Sequence, residues 1–189
     1  MGWFAYKIII TFVLTVWKTN RNNYADVIAV LECPVDIVFV LDESTSLGAD
    51  DFTLMKTFVS DLVGRLDIDR RNTRVGLFTY SSTVDTAEAF NLNRYSSVAG
   101  VQLGVNSLTY TRGRTNTAAA LEYVRTTMLI SAAGDRRDVP NVVVVMTDGK
   151  SNVNESRTPV STVWKLQVQH TSYFRNCLVY SNSLHTYYI

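Results

Sequence analysis

Val35-Asp36-Ile37-Val38-Phe39-Val40-Leu41-Asp42-Glu43-Ser44-Thr45-Ser46 is a run of apolar, mostly β-branched residues that ends abruptly in a cluster of side-chain oxygens. Such a run, apolar almost throughout, predicts a strand covered on both faces and lying in the middle of a sheet. Asp36 sits within it, and strand alternation sends it away from the end that carries Asp42, so it is expected to satisfy a backbone or neighbouring polar group. A second stretch of the same kind runs from 141 to 147, with Val142-Val143-Val144-Val145-Met146 at its centre and Asp148-Gly149 directly after it. Pro140 stands at its entrance, where a missing amide costs least.

The intervening residues alternate between helical and extended patterns. After Gly48, apolar residues at Phe52, Met55, Val59, Leu62, Val63 and Leu66 recur three and four apart, which predicts an amphipathic helix with Asp50 or Asp51 as its cap. Residues 75–80 read as a strand, joined through Ser81-Ser82-Thr83 to a hairpin partner over 84–90. A weaker helix is expected over 95–103. A clearer one spans 116–130, with Ala118, Leu121, Val124 and Met128 on one stripe and Gly134 just beyond. Strands alternating with helices predict an α/β domain with a doubly wound, mostly parallel central sheet flanked by helices. Ligands of such sheets sit beyond the carboxyl ends of the strands.

Both buried strands end in aspartate. If they are neighbours, Asp42 and Asp148 meet at the top of the sheet, where two carboxylates repel unless a proton or a cation lies between them. Ser44 and Ser46 alternate on the following loop and can face the same point. Thr115, in the hydroxyl-rich loop 112–117, is placed to complete the shell. All five donors are oxygens, a set that favours Mg²⁺, Ca²⁺ or Mn²⁺ over metals preferring nitrogen and sulfur. Taken singly, serines and threonines beside aspartate are turn formers or helix caps. The five donors together, at strand and helix ends, are a stronger signal.

Asp42-x-Ser44-x-Ser46, Thr115 within Gly-Arg-Thr-Asn-Thr and Asp148 within Thr-Asp-Gly-Lys resemble the metal-ion-dependent adhesion site of von Willebrand factor type A domains. The likeness runs from about Cys33 to Asn152 and includes residues 36–42 and 74–80, which look most like the domains of collagen VI and the matrilins. The resemblance implies a Rossmann-like fold of strand order 3-2-1-4-5-6. It also implies a bound Mg²⁺, with Ca²⁺ or Mn²⁺ as alternatives, coordinated by Ser44, Ser46 and Thr115 through hydroxyls and by Asp42 and Asp148 directly or through water. Two carboxylates only neutralise a dication and leave it able to take an acidic side chain from a partner. The implied function is cation-dependent binding of a matrix or cell-surface protein, without catalysis. Glu43 stands where the family usually has a small residue and is expected to point to solvent. Arg112 and Arg114 are read as a solvated loop able to contact an anionic partner.

The chain has 189 residues and a formal charge of +1, which leaves room for one well-cored domain. Acidic and basic residues are mixed along it, so nucleic-acid binding is not expected. Residues 1–25 are read as a signal peptide built on the apolar run 8–17, too short to span a membrane, with an apolar strand or the debris of an inaccurate gene start as the alternative. Residues 26–34 are a short lead, 35–152 the domain core, and 153–189 a divergent tail lacking the family's last strands and helix. Within the tail, 160–169 reads as a short helix and 177–180 as a strand. The missing strands would leave an unpaired edge beside the strand ending at Thr147, prone to self-association. Cys33 and Cys177 flank the domain and are either bridged in an oxidising compartment or two buried thiols. Asn154-Glu155-Ser156 is a glycosylation acceptor if the chain is secreted. Two other readings are a non-functional fragment of a longer matrix or adhesion protein, and a Mg²⁺-dependent hydrolase. Against the hydrolase, the sequence has no phosphate loop or nucleophile elbow, and its only histidines, His170 and His185, lie in the tail.

Overall fold

A computed structural model of the chain describes residues 7–13 and 34–148. The elements in chain order are β1 (Lys7–Val13), β2 (Val35–Asp42), α1 (Ala49–Val63), β3 (Thr73–Tyr80), β4 (Val84–Phe90), α2 (Val98–Asn106), α3 (Thr117–Tyr123) and β5 (Asn141–Thr147). A π-helical turn, Val124–Met128, continues α3, and a 3-10 turn, Ser131–Ala133, follows it. The sheet order is β1-β5-β2-β3-β4, parallel except for the antiparallel β3–β4 hairpin. This is the doubly wound, mostly parallel α/β sheet expected from the alternating pattern.

Every residue of β2 and β5 is buried, and the two-residue period of the strands divides their side chains between two cores. Ile37, Phe39 and Leu41 of β2 join Val142, Val144 and Met146 of β5 under Phe52, Met55, Val59 and Val63 of α1 and Val101 and Val105 of α2. On the opposite face Val38, Val40, Phe78, Tyr80, Val143 and Val145 pack against Ala120, Val124 and Met128. Each fully buried side chain of this size stabilises the fold by about 1.5–3 kcal/mol, which is why helices cover both faces.

Several boundaries differ from the sequence expectations for local reasons. α1 starts one residue after Gly48, whose φ of 79° suits glycine. Asp50 and Asp51 therefore lie in the first turn, complementing the helix dipole without capping it. α2 begins at Val98 because the Ser97 hydroxyl accepts the amide of Gly100 at 3.1 Å, three residues later than the apolar spacing suggested. The long helix is regular only to Tyr123. Its buried stripe is Ala120, Val124 and Met128, with Ala118 and Leu121 half-buried, and the π turn absorbs the change of phase. Met128 reaches into β3 at Gly76, where a Cβ would stand 2.8 Å from the Met128 methyl.

The edge of β5 expected to lack a partner is paired. β1 runs parallel to it, in register from Lys7↔Asn141 to Val13↔Thr147. The Ile-Ile-Ile centre that suits a secretory core is also strongly β-forming, and the strand alternative for this apolar run is the conformation seen. Among the described residues no helix is long and apolar enough to cross a membrane. Cys33, Cys177, Asn154, the tail's expected helix and strand, and both histidines lie outside the described residues.

At the lower end of the sheet Asp36 is buried and fully engaged. Arg136 donates to it from its backbone amide and from Nε, both at 2.8 Å, and its guanidinium also reaches the carbonyls of Val35, Asn72 and Arg71 at 2.9–3.1 Å. Asp36 thus serves a structural ion pair, as expected, far from the end that carries Asp42. Removing one member of such a pair leaves a buried charge alone. We expect Arg136→Ala to lower unfolding free energy by about 3 kcal/mol, read as a shift of the urea midpoint, with little further loss when Asp36→Ala is added.

Candidate metal centre

The parallel register of β2 and β5 aligns Leu41 with Met146, so Asp42 and the Thr147-Asp148 pair emerge side by side. Asp42 is buried. Its Oδ1 accepts the amide of Ser44 at 2.8 Å and its Oδ2 accepts the hydroxyl of Thr147 at 2.6 Å. The Ser44 and Ser46 hydroxyls stand 3.1 Å apart, and Ser46 Oγ donates to Asp148 Oδ1 at 3.2 Å. Asp42 and Ser44 form a buried floor, whereas Ser46 is exposed and Asp148 half-buried, which opens the cluster to solvent on one side.

Those separations suit a small hard cation. Adjacent ligands of an octahedral Mg²⁺ with bonds of about 2.1 Å lie about 3.0 Å apart, close to the two oxygen–oxygen distances here. Burial pushes the carboxyl of Asp42 above the ordinary carboxylate range, against the hydrogen bonds from Thr147 and Ser44, and the charge of Asp148 adds to the rise. The repulsion between the two carboxylates expected from the sequence is the smallest of these contributions. Beneath that carboxyl lies the buried phenol of Tyr80, whose ionisation is pushed far up by desolvation and by Asp42; its hydroxyl is 3.5 Å from Thr117 Oγ.

Thr115 is buried at the end of the 107–116 loop, just before the Asn116 cap of α3. The structure joins Asp42, Ser44, Ser46 and Asp148 in one hydrogen-bonded cluster and sets Thr115 on the adjoining loop, which is tied to the serine loop at several points. Thr45 N donates to Gly113 O at 2.9 Å, and Gly113 N donates to Thr45 Oγ at 3.1 Å. The Tyr110 hydroxyl donates to Ser44 O at 2.9 Å and accepts from Gly48 N at 3.1 Å. Sequence reasoning missed Tyr110 and Thr147. Thr147, as the last residue of a buried strand beside Asp148, carried a signal that could have been read; Tyr110, 66 positions from Ser44, did not.

Glu43 overturns its expectation. It turns inward, is 1% exposed, and its Oε1 accepts the Thr111 hydroxyl at 2.7 Å, while Oε2 has no hydrogen-bond partner. The strand period explains the direction: Asp42 faces the core of Tyr80, so the next residue faces the opposite side, towards Thr111. Burial raises its carboxyl above the usual range, with Thr111 opposing.

Relatives of known description were found in three comparisons. The model of the von Willebrand factor type A domain matches residues 36–174, past the Asn152 where the motif resemblance ended. The collagen alpha-4(VI) chain of Mus musculus is 38% identical over 121 residues, 63% of this chain and 5% of that protein. Matrilin-1 of Homo sapiens is 34% identical over 116 residues, 61% of this chain and 23% of that protein. Among solved structures, proximal thread matrix protein 1 of the mussel byssus matches at 27% identity with a TM-score of 0.61, covering 66% of this chain and 33% of that one. A form of the same protein described as having a zinc-occupied MIDAS motif matches at 29% identity and a TM-score of 0.56, covering 64% and 30%. The chain thus spans less than a quarter of the two sequence relatives and about a third of the structural one.

Two outcomes are expected of this geometry. Thr147→Val keeps the shape of the side chain but frees Asp42 Oδ2, and should weaken Mg²⁺ affinity by about tenfold in calorimetry with the circular dichroism unchanged. Because the raised carboxyl of Glu43 favours folding only while protonated, its contribution is complete below the ordinary value of 4.5 and is lost as pH rises through the folded-state value. In metal-free buffer Glu43→Gln should therefore melt higher than the parent at pH 7, and the gain should vanish at pH 4.

Proposed function

Because the chain belongs to the von Willebrand factor type A domain family, we propose that Asp42, Ser44, Ser46, Thr115 and Asp148 hold a divalent cation, Mg²⁺ with Ca²⁺ or Mn²⁺ as alternatives, through which the domain binds an acidic side chain of a partner protein. The observation that carries this reading is the oxygen cluster of Ser44, Ser46 and Asp148, spaced at 3.1 and 3.2 Å and open to solvent on one side.

Each residue has a distinct part. Ser44, Ser46 and Thr115 offer neutral hydroxyl oxygens, while Asp42, held by Thr147 and the Ser44 amide, and Asp148 supply the two negative charges. The bound cation contributes a Lewis-acidic position for a carboxylate oxygen. The exposed side at Ser46 and Asp148 is where a partner approaches, and the buried floor of Asp42, Ser44 and Tyr80 keeps water from the other side. The zinc-occupied motif described for the mussel protein supports uptake of a divalent cation. The extracellular supply of metals then bears on the occupant.

The reading is of a binding module, not an enzyme. Similarity to a collagen VI chain, matrilin-1 and a mussel byssus matrix protein supports a location outside the cell and a protein partner there. Residues 1–25 as a secretory leader belong to the same proposal, in which cleavage would remove β1 and expose the edge of β5 that it covers. Titration calorimetry with Mg²⁺, Ca²⁺, Mn²⁺ and Zn²⁺ tests it. One-site uptake by the parent, lost in Asp42→Ala combined with Asp148→Ala, is expected, together with Mg²⁺-dependent retention on an immobilised acidic protein surface. Folded material that takes up none of the four ions would refute the reading, and Mg²⁺-dependent turnover of a phosphate ester or peptide abolished by Asp42→Ala would replace it with hydrolysis.

A further inference from the structure

Arg112 is one of only two non-glycine residues with positive φ among the described residues, at 68°. For a side chain other than asparagine, aspartate or glycine this left-handed conformation is uncommon and carries strain, so the surrounding structure has to impose it. Here it does. The next residue, Gly113, is hydrogen-bonded in both directions to Thr45, and Arg114 N donates to Ser82 Oγ at 2.9 Å. Gly113 itself has a φ of 140° and no space for a side chain, since a Cβ would lie 2.7 Å from Ser81 Oγ. The backbone that presents Arg112 is therefore clamped between the serine loop of the metal centre and the β3–β4 turn.

The guanidinium is exposed and lies over the ring of Tyr110 at 5.9 Å, the tyrosine whose hydroxyl bridges Ser44 and Gly48. Among the described residues no carboxylate pairs with it. A cation–π contact with a ring uses none of the guanidinium N–H donors in a hydrogen bond. Arg112 is three residues from Thr115, so the backbone separates them by at most about 10 Å. An exposed cation on a clamped backbone thus stands on the loop that carries Thr115.

We propose that Arg112 is a second anchor for the partner, selecting a peptide segment in which the metal-binding carboxylate is accompanied by another carboxylate two to four residues away. This rests on the metal-dependent reading above. In an extended peptide that spacing is about 7–13 Å, which brackets the backbone separation of up to about 10 Å between Thr115 and Arg112. The clamped backbone means that little loop freedom is lost when the second carboxylate docks.

Fluorescence anisotropy with synthetic alanine-based peptides tests this in saturating Mg²⁺, comparing one glutamate with two glutamates two, three or four residues apart. The parent should bind the best two-glutamate peptide about fivefold more tightly than the single-glutamate one, and the preference should fade as salt rises from about 50 to 300 mM. Arg112→Asn is the informative variant, because asparagine accepts the left-handed backbone while removing the guanidinium. It should abolish the preference while keeping single-glutamate binding and Mg²⁺ uptake at parental values, and Arg112→Lys should restore part of it. A preference that survives in Arg112→Asn, or a parent with none, overturns the anchor. Peptide binding that is absent altogether, or that persists in Asp42→Ala, overturns instead the metal-dependent reading on which it rests.

Discussion

The parallel pairing of β2 with β5, from Asp36↔Asn141 to Leu41↔Met146, sets the position of everything at the top of the sheet. It brings two carboxylates from residues 106 positions apart in sequence to one edge, and it does so through backbone hydrogen bonds that are indifferent to the cost of placing the charges together. A slip of one residue would turn Asp42 to the other face of the sheet and swap the two cores. The apolar strands specify the register so strongly because both faces are buried. The site therefore draws its precision from residues that never touch it.

Around that edge the structure uses neutral groups to hold charged ones. Thr147 and the Ser44 amide fix Asp42, Tyr110 fixes the Ser44 backbone, and the Thr45–Gly113 exchange fixes the loop that carries Thr115. Glu43 joins the same network from the other face of the sheet through Thr111. Three loops distant in sequence are in this way bound to one another before any ligand arrives. Preorganisation of this kind lowers the entropy lost on binding.

The fold was legible in the sequence wherever burial dictates pattern: the two apolar strands, α1 and the hairpin could all be read from period and turn residues. The five candidate ligands were legible for a related reason, since each sits at a strand or helix end that the pattern locates. What could not be read depended on contacts across sequence distance. The inward turn of Glu43 follows from Thr111, 68 positions away. The break of α3 into a π turn follows from Met128 filling the space above Gly76. The pairing of β1 with β5 joins segments whose separate patterns are equally consistent with other partners. Helix boundaries shifted by a few residues because a single capping hydroxyl, as at Ser97, outweighs an apolar spacing.

The clamped glycine at position 113 has a bearing on how such a domain diversifies. A residue with any side chain would collide with the hairpin turn and demand a backbone dihedral that other amino acids avoid. Its neighbours Arg112 and Arg114 are exposed, and although Arg112 also takes a left-handed φ, asparagine or aspartate could adopt it there. Over generations, the flanking residues can be exchanged while the clamped glycine between them stays, so that the outer face of this loop changes and the hydrogen-bonded frame beneath it does not.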